Sequence, residues 1–115
     1  MADLVAYKVL TASQLAELEH HESFAGAPVD LADGYIHMST AAQLDGTVTK
    51  HFAGQGDLTI AAVDLEALGN AVKWEPSRGG QLFPHLYGPL TLDSLIAYGP
   101  LEREDDGSIR LPTAG

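Results

Sequence analysis

Trp74-Glu-Pro-Ser-Arg-Gly-Gly-Gln-Leu-Phe-Pro-His-Leu-Tyr-Gly88 concentrates the only Trp of the chain, two Pro, three Gly and one of five His in one stretch. Residues 71–75 have strand character, residues 76–80 form a Pro/Gly turn, and residues 82–87 are extended. Pro84 cannot donate to a ladder, which restricts that second strand to a sheet edge or a bulge. A core strand does not need this mixture, and a solvated loop does not carry so much aromatic surface. The stretch reads as a rigid wall of a pocket, with Glu75, Arg78 and His85 as its polar points.

Upstream, Asp33-Gly34 is a turn signal, and Tyr35-Ile36-His37-Met38 follows it as a short strand. Alternation places Ile36 and Met38 on one face and Tyr35 and His37 on the other. Thr40 and Gln43 stand at capping-box spacing, so a helix over residues 41–53 begins directly after Ser39. Its apolar stripe is Leu44, Val48 and Phe52. The same logic applies near the start. Residues 4–10 alternate as a strand, Thr11 and Gln14 form a second capping box, and residues 12–21 read as a helix with Leu15 and Leu18 inward.

Elsewhere the signals are coarser. Residues 26–30 read as loop, 58–64 as a buried strand ending in an acid, and 65–69 as at most a helical turn. Residues 92–98 read as a strand, with a helical turn after Asp93 as the competing reading. Asp106-Gly107 closes a hairpin, so residues 101–112 form a terminal hairpin and tail. No repeat or linker divides the chain. The expectation is one domain over residues 1–115, of α+β class, with two helices on a small, largely antiparallel sheet.

Composition narrows the function classes. The chain is 115 residues long, enough for one core without staples, and it has no Cys,. Disulfides, thiolate metal sites and a Cys nucleophile are thereby excluded. Sixteen acids against six bases give a net charge of −10. That field repels phosphate backbones, so general nucleic-acid binding is not expected, although a few well-placed bases can hold one small anion. The start lacks a signal-peptide pattern, and no apolar run has the length to cross a bilayer. The expectation is a cytoplasmic protein with no membrane association and a small-molecule ligand.

Chemistry concentrates at three places: Tyr7-Lys8 on the first strand, His37 to Thr40 at the strand-to-helix junction, and residues 74–88. Ser39 and Thr40 present hydroxyls and N–H groups at a helix N-terminus, where an anion or amide can bind. His37 precedes them and can donate, accept or transfer a proton near neutral pH. Each residue also has a bland reading, His37 as a ring held by a backbone carbonyl and Ser39-Thr40 as caps. Metal spacing is absent, with neither His-x-His nor His-Glu-x-x-His, and no metal site is expected. Gly-x-Ser-x-Gly and the Gly-rich nucleotide loops are absent too.

The segments Asp33 to Thr40, Trp74-Glu75 and Phe83-Pro84-His85-Leu86-Tyr87-Gly88 together resemble the motifs of a bacterial family known as domain of unknown function 952. The likeness runs from Tyr7-Lys8 to about Ile96. A more distant likeness is to the RNA 2′-phosphotransferases of the ADP-ribosyltransferase superfamily, through the His-x-Ser segment, the strand ending in Asp and the later Gly-rich turn. That resemblance implies a split β-sheet with NAD, as substrate, in its cleft. It implies His37, Glu75 and His85 as catalytic residues. Tyr7, Lys8, Tyr35, Ser39, Thr40, Trp74, Arg78 and Tyr87 become ligand-binding residues, the aromatics stacking a planar ring and the bases meeting phosphate. The implied chemistry is ADP-ribosyl or phospho-transfer. The alternative is a non-catalytic binding or regulatory module on the same fold.

Overall fold

The computed structural model describes residues 4–112, without the Arg78 side chain. Strand β1 (Val5–Leu10) leads into helix α1 (Ala12–His21), which starts at a complete Thr11–Gln14 capping box. After the short strand β2 (Ser23–Phe24) comes helix α2 (Pro28–Asp33), then strand β3 (Ile36–His37). Helix α3 (Ala41–His51) is capped by Thr40 and Gln43 in the same reciprocal way. Strand β4 (Thr59–Asp64), the single turn α4 (Leu65–Leu68), and strands β5 (Val72–Pro76) and β6 (Leu82–Leu86) follow. Strand β7 (Leu90–Thr91), a 3₁₀ turn at Leu92–Ser94 and strand β8 (Leu95–Pro100) complete the ordered elements. The molecule is a small α+β fold with antiparallel sheets.

Three sheets organise these strands, in the orders β1-β4-β8, β2-β7 and β3-β6-β5, and every pairing is antiparallel. The first and third sheets meet where Tyr7 and Ser39 exchange backbone hydrogen bonds of 2.7 and 2.9 Å. This bridge brings Lys8 beside His37 and sets the floor of the site. One apolar cluster holds Leu10, Leu18, Phe24, Ile36, Leu86 and Leu90. The second holds Val9, Leu44, Val48, Leu58 and Ile60, with Phe52 packed on it. Full burial of an aliphatic side chain of this size contributes about 1.5–3 kcal/mol, so Leu44 and Val48 anchor α3 against β1. Beyond β8, Arg103 bridges Ile109 and the Gly107 N–H donates to the Glu104 carbonyl, closing a turn with Asp105 and Asp106 at its centre.

Two readings of local sequence need correction. Residues 28–33 form a helix rather than loop. Pro28 stands in its first turn, Asp30 accepts the Ala27 N–H across that turn, and Gly34 ends it with φ of +88°,. The helix count therefore exceeds two. Pro84 lies on the central strand of its sheet rather than at an edge. Its carbonyl takes the Met38 N–H at 3.1 Å, so the proline nitrogen faces the β3 side. Met38 lies opposite Pro84 there and keeps its own N–H bond, so the proline removes only the return bond to the Met38 carbonyl,. The 92–98 segment divides between its two readings, a 3₁₀ turn and then a strand.

Candidate functional site

Asp30 is the hub of the site, and it is fully buried. Its Oδ1 accepts from the His37 backbone N–H at 3.0 Å and pairs with His37 Nδ1 at 2.6 Å. Its Oδ2 accepts from the Ala27 N–H at 2.8 Å and from Lys8 Nζ at 2.9 Å. Lys8 Nζ also donates to the His37 carbonyl at 2.9 Å. Burial alone pushes the Asp30 carboxyl upward. The His37 hydrogen bond, the Lys8 charge and the two backbone donors outweigh it and hold the group well below the ordinary carboxylate range,. Burial pulls Lys8 below the usual amine range, opposed by the charge and hydrogen bond of Asp30. The two groups form a buried ion pair, with the His37 carbonyl as a second acceptor for Lys8 and three further donors on Asp30,.

His37 is held at both nitrogens. Nδ1 meets Asp30, and Nε2 lies 2.9 Å from Asp33 Oδ2. A ring with one proton can serve only one of these carboxylates; serving both takes a proton on each nitrogen. His37 and His85 are direct partners in the β3–β6 register, which sets their ring centroids 5.6 Å apart. His85 Nδ1 is 2.7 Å from Glu75 Oε1. A carboxylate only accepts, so that contact places the proton on Nδ1. The Tyr87 hydroxyl donates to the same Glu75 oxygen at 2.7 Å, which pushes its pKa up to about 12. The hydrogen bonds from Tyr87 and then His85 in turn hold Glu75 below the usual range. Tyr35 stacks on His85 with centroids 4.1 Å apart and touches His37 at 4.7 Å.

These imidazoles open on a cleft of about 470 Å³, within the roughly 300–1,000 Å³ usual for small-molecule sites,. Its polar lining includes Asp33, His37, Ser39, Lys50, His51 and His85, and its apolar lining Tyr7, Val9, Phe52 and Phe83. The Ser39 hydroxyl bonds Thr47 Oγ1 at 2.7 Å, and the Thr47 hydroxyl donates to the Gln43 carbonyl. Among the described residues, no group of three or more His, Cys, Asp or Glu is arranged to hold a metal ion. Nor does any helix among them have the length and apolarity to cross a membrane.

A family model described as protein of unknown function (DUF952) matches residues 9–98. The chain belongs to the DUF952 family. Among solved structures it is similar to the X-ray crystal structure of protein CC0527 from Caulobacter crescentus. The two share 41% identity over 93% of this chain and 94% of that one, with a TM-score of 0.84. The solution NMR structure of CC0527 is similar too, at 40% identity, 93% and 91% coverage and a TM-score of 0.78. No curated protein matches.

In this DUF952 chain the expected catalytic residues His37, Glu75 and His85 fall in one connected cluster, and Lys8, Tyr35 and Tyr87 join it. Glu75 and Tyr35 touch the imidazoles, and Tyr87 touches Glu75 and Tyr35, none of the three lining the large cleft. Trp74 points the other way, packing against the first apolar cluster. Thr40 has its hydroxyl and its N–H both engaged by Gln43. The Arg78 side chain lies outside the described residues. Asp30 and Asp33 are the residues that sequence reasoning missed. Their signal was present: Pro28 at a first turn, Asp30 two residues on, and Gly34 as the stop.

Proposed function

We propose that the cleft binds a small nucleotide-type ligand of the NAD or ADP-ribose class, with His37 as its principal polar contact. One observation carries the reading. Two imidazoles, each held by its own carboxylate, sit side by side at the wall of a ligand-sized cleft. A structural role alone does not call for two oriented, adjacent imidazoles beside an open cavity. The apolar lining from Tyr7, Phe52 and Phe83 suits a planar base, and Lys50 and His51 add positive or polar groups to the same lining. Two antiparallel sheets joined at Tyr7–Ser39 are also compatible with the split sheet of ADP-ribosyltransferases. On this reading, ADP-ribosyl or phospho-transfer is the reaction, and His37 positions the ligand and moves the proton.

A second reading, binding without chemistry, is favoured by Glu75. Its Oε1 is engaged by His85 and Tyr87, so it orients a ring instead of facing the reacting atoms. Isothermal calorimetry with NAD and ADP-ribose tests the binding common to both. Saturable heat that His37→Ala removes is the expected result. No heat at millimolar ligand with folded protein removes the nucleotide reading. Release of nicotinamide from NAD then separates the transferase from the binding module.

A further inference from the structure

His37 is the accessible imidazole of the pair, its side chain 31% exposed against 3% for His85. Its Nδ1 end is anchored on buried Asp30, so Nε2 is the end left for a ligand. That end already holds an oxyanion, the Asp33 carboxylate, and both residues line the cleft.

Asp33 is a poor permanent partner for this position. It is the last residue of α2, where a carboxylate meets the negative end of the helix,. Its side chain is 46% exposed, so water competes for it,. Asp30, already ionised, faces the other side of the same ring and repels a second negative charge. The remaining groups around the ring are Lys8 behind Asp30, the Tyr35 and His85 rings beside it, and Glu75 behind His85. None of them requires Asp33 to be where it is. Lys50 and His51 line the same cleft, offering positive or polar contacts to an incoming anion in a chain of net charge −10.

We propose that His37 Nε2 is the subsite for an oxyanion of the ligand, and that Asp33 is its internal occupant until the ligand arrives. The proposal deepens the nucleotide reading and rests on it only for the molecule that carries the anion. Binding exchanges one carboxylate for another oxyanion on the same N–H, and Asp33 swings into solvent. Inorganic phosphate and acetate are the simplest probes of the two chemistries, a phosphoryl and a carboxylate group.

The test is an NMR titration of the His37 ring signals at fixed ionic strength. Phosphate and, separately, acetate are added to wild type, Asp33→Ala and Asp105→Ala; Asp105 is an exposed acid in the turn over residues 104–107. An exposed pair of this kind is a weak competitor, so removing it raises affinity by a few fold,. Asp33→Ala is therefore expected to bind one of the anions about two- to fivefold tighter than wild type, with the His37 ring moving most. Asp105→Ala, equal in net charge, stays at the wild-type value. Preference for phosphate or for acetate names the group. Equal affinity in all three proteins, or shifts centred away from His37, overturns the subsite. Asp33→Asn, which keeps the side-chain volume, replaces the alanine variant if that one does not fold. The outcome is separable from the ligand class. ADP-ribose that binds at His37 while phosphate ignores Asp33→Ala leaves the nucleotide reading standing and removes the subsite.

Discussion

Replacing Asp30 by Asn changes one oxygen for a nitrogen at the most connected side chain of the site. The carboxylate accepts four hydrogen bonds, two of them onto Oδ2 from Lys8 Nζ and the Ala27 N–H. An amide places a donor against at least one pair of those donors and removes the charge that faces Lys8. Lys8 is 7% exposed, so its ammonium is left buried with the neutral His37 carbonyl as an acceptor but no counter-charge. Breaking a buried pair in this way costs about 3–5 kcal/mol. For a domain of this length roughly 4 °C of melting temperature corresponds to each kcal/mol, so a fall of about 12–20 °C is expected. The pH dependence carries a signature. In wild type the folded Asp30 carboxyl lies below its ordinary 3.8, so its stabilisation is complete above that pH and fades as the pH falls below it,. In Asp30→Asn that acid limb disappears. The unpaired Lys8 then binds its proton more weakly in the folded than in the unfolded chain, so the deficit shrinks as the pH rises from about 7 towards 10. Urea unfolding across pH 3–10 measures both limbs. A loss under about 1 kcal/mol, or a deficit that stays flat at alkaline pH, refutes the account of Asp30 as the charge partner of Lys8.

Other expectations concern the second imidazole and the local backbone. Glu75→Gln removes the carboxylate that holds Tyr87 at about 12, so spectrophotometric titration is expected to show one tyrosine moving down towards the ordinary value of 10.0. Thr40→Ala deletes the cap that receives the Gln43 N–H, and denaturation will show a loss of about 0.5–2 kcal/mol,. Gly26 has φ of +130°, and a Cβ there stands 2.9 Å from Asp30 Cβ. Gly26→Ala is therefore expected to cost about 1–3 kcal/mol, read by the same unfolding experiment. An unchanged midpoint shows that the 26–30 turn does not brace Asp30.

What was legible in the chain follows the physics of each signal. The capping boxes at Thr11 and Thr40 locate both long helices to within two residues, because they depend on local side chains alone. Alternation places Tyr35 and His37 on one face correctly, and their rings touch. Pro84 misled because the proline rule treats a lost donor as barring a central strand, whereas the Met38 N–H still bonds the Pro84 carbonyl and the pairing loses only one bond at the end of β3,. Trp74 misled because strand alternation gives it and Glu75 opposite faces, and only Glu75 reaches the imidazoles. Asp30 escaped notice for a different reason. Its importance arises from meeting Lys8, twenty-two residues away, across a sheet junction that only tertiary structure creates. A six-residue helix also shows too little periodicity to announce itself,.

The most direct test of the central claim is NMR chemical-shift mapping of the labelled protein with ADP-ribose. The account predicts saturable shifts focused on His37, Ser39, Phe52 and Phe83, the cleft lining, and their loss in His37→Ala. Shifts confined to another surface, or a spectrum unchanged at millimolar ADP-ribose, would contradict it.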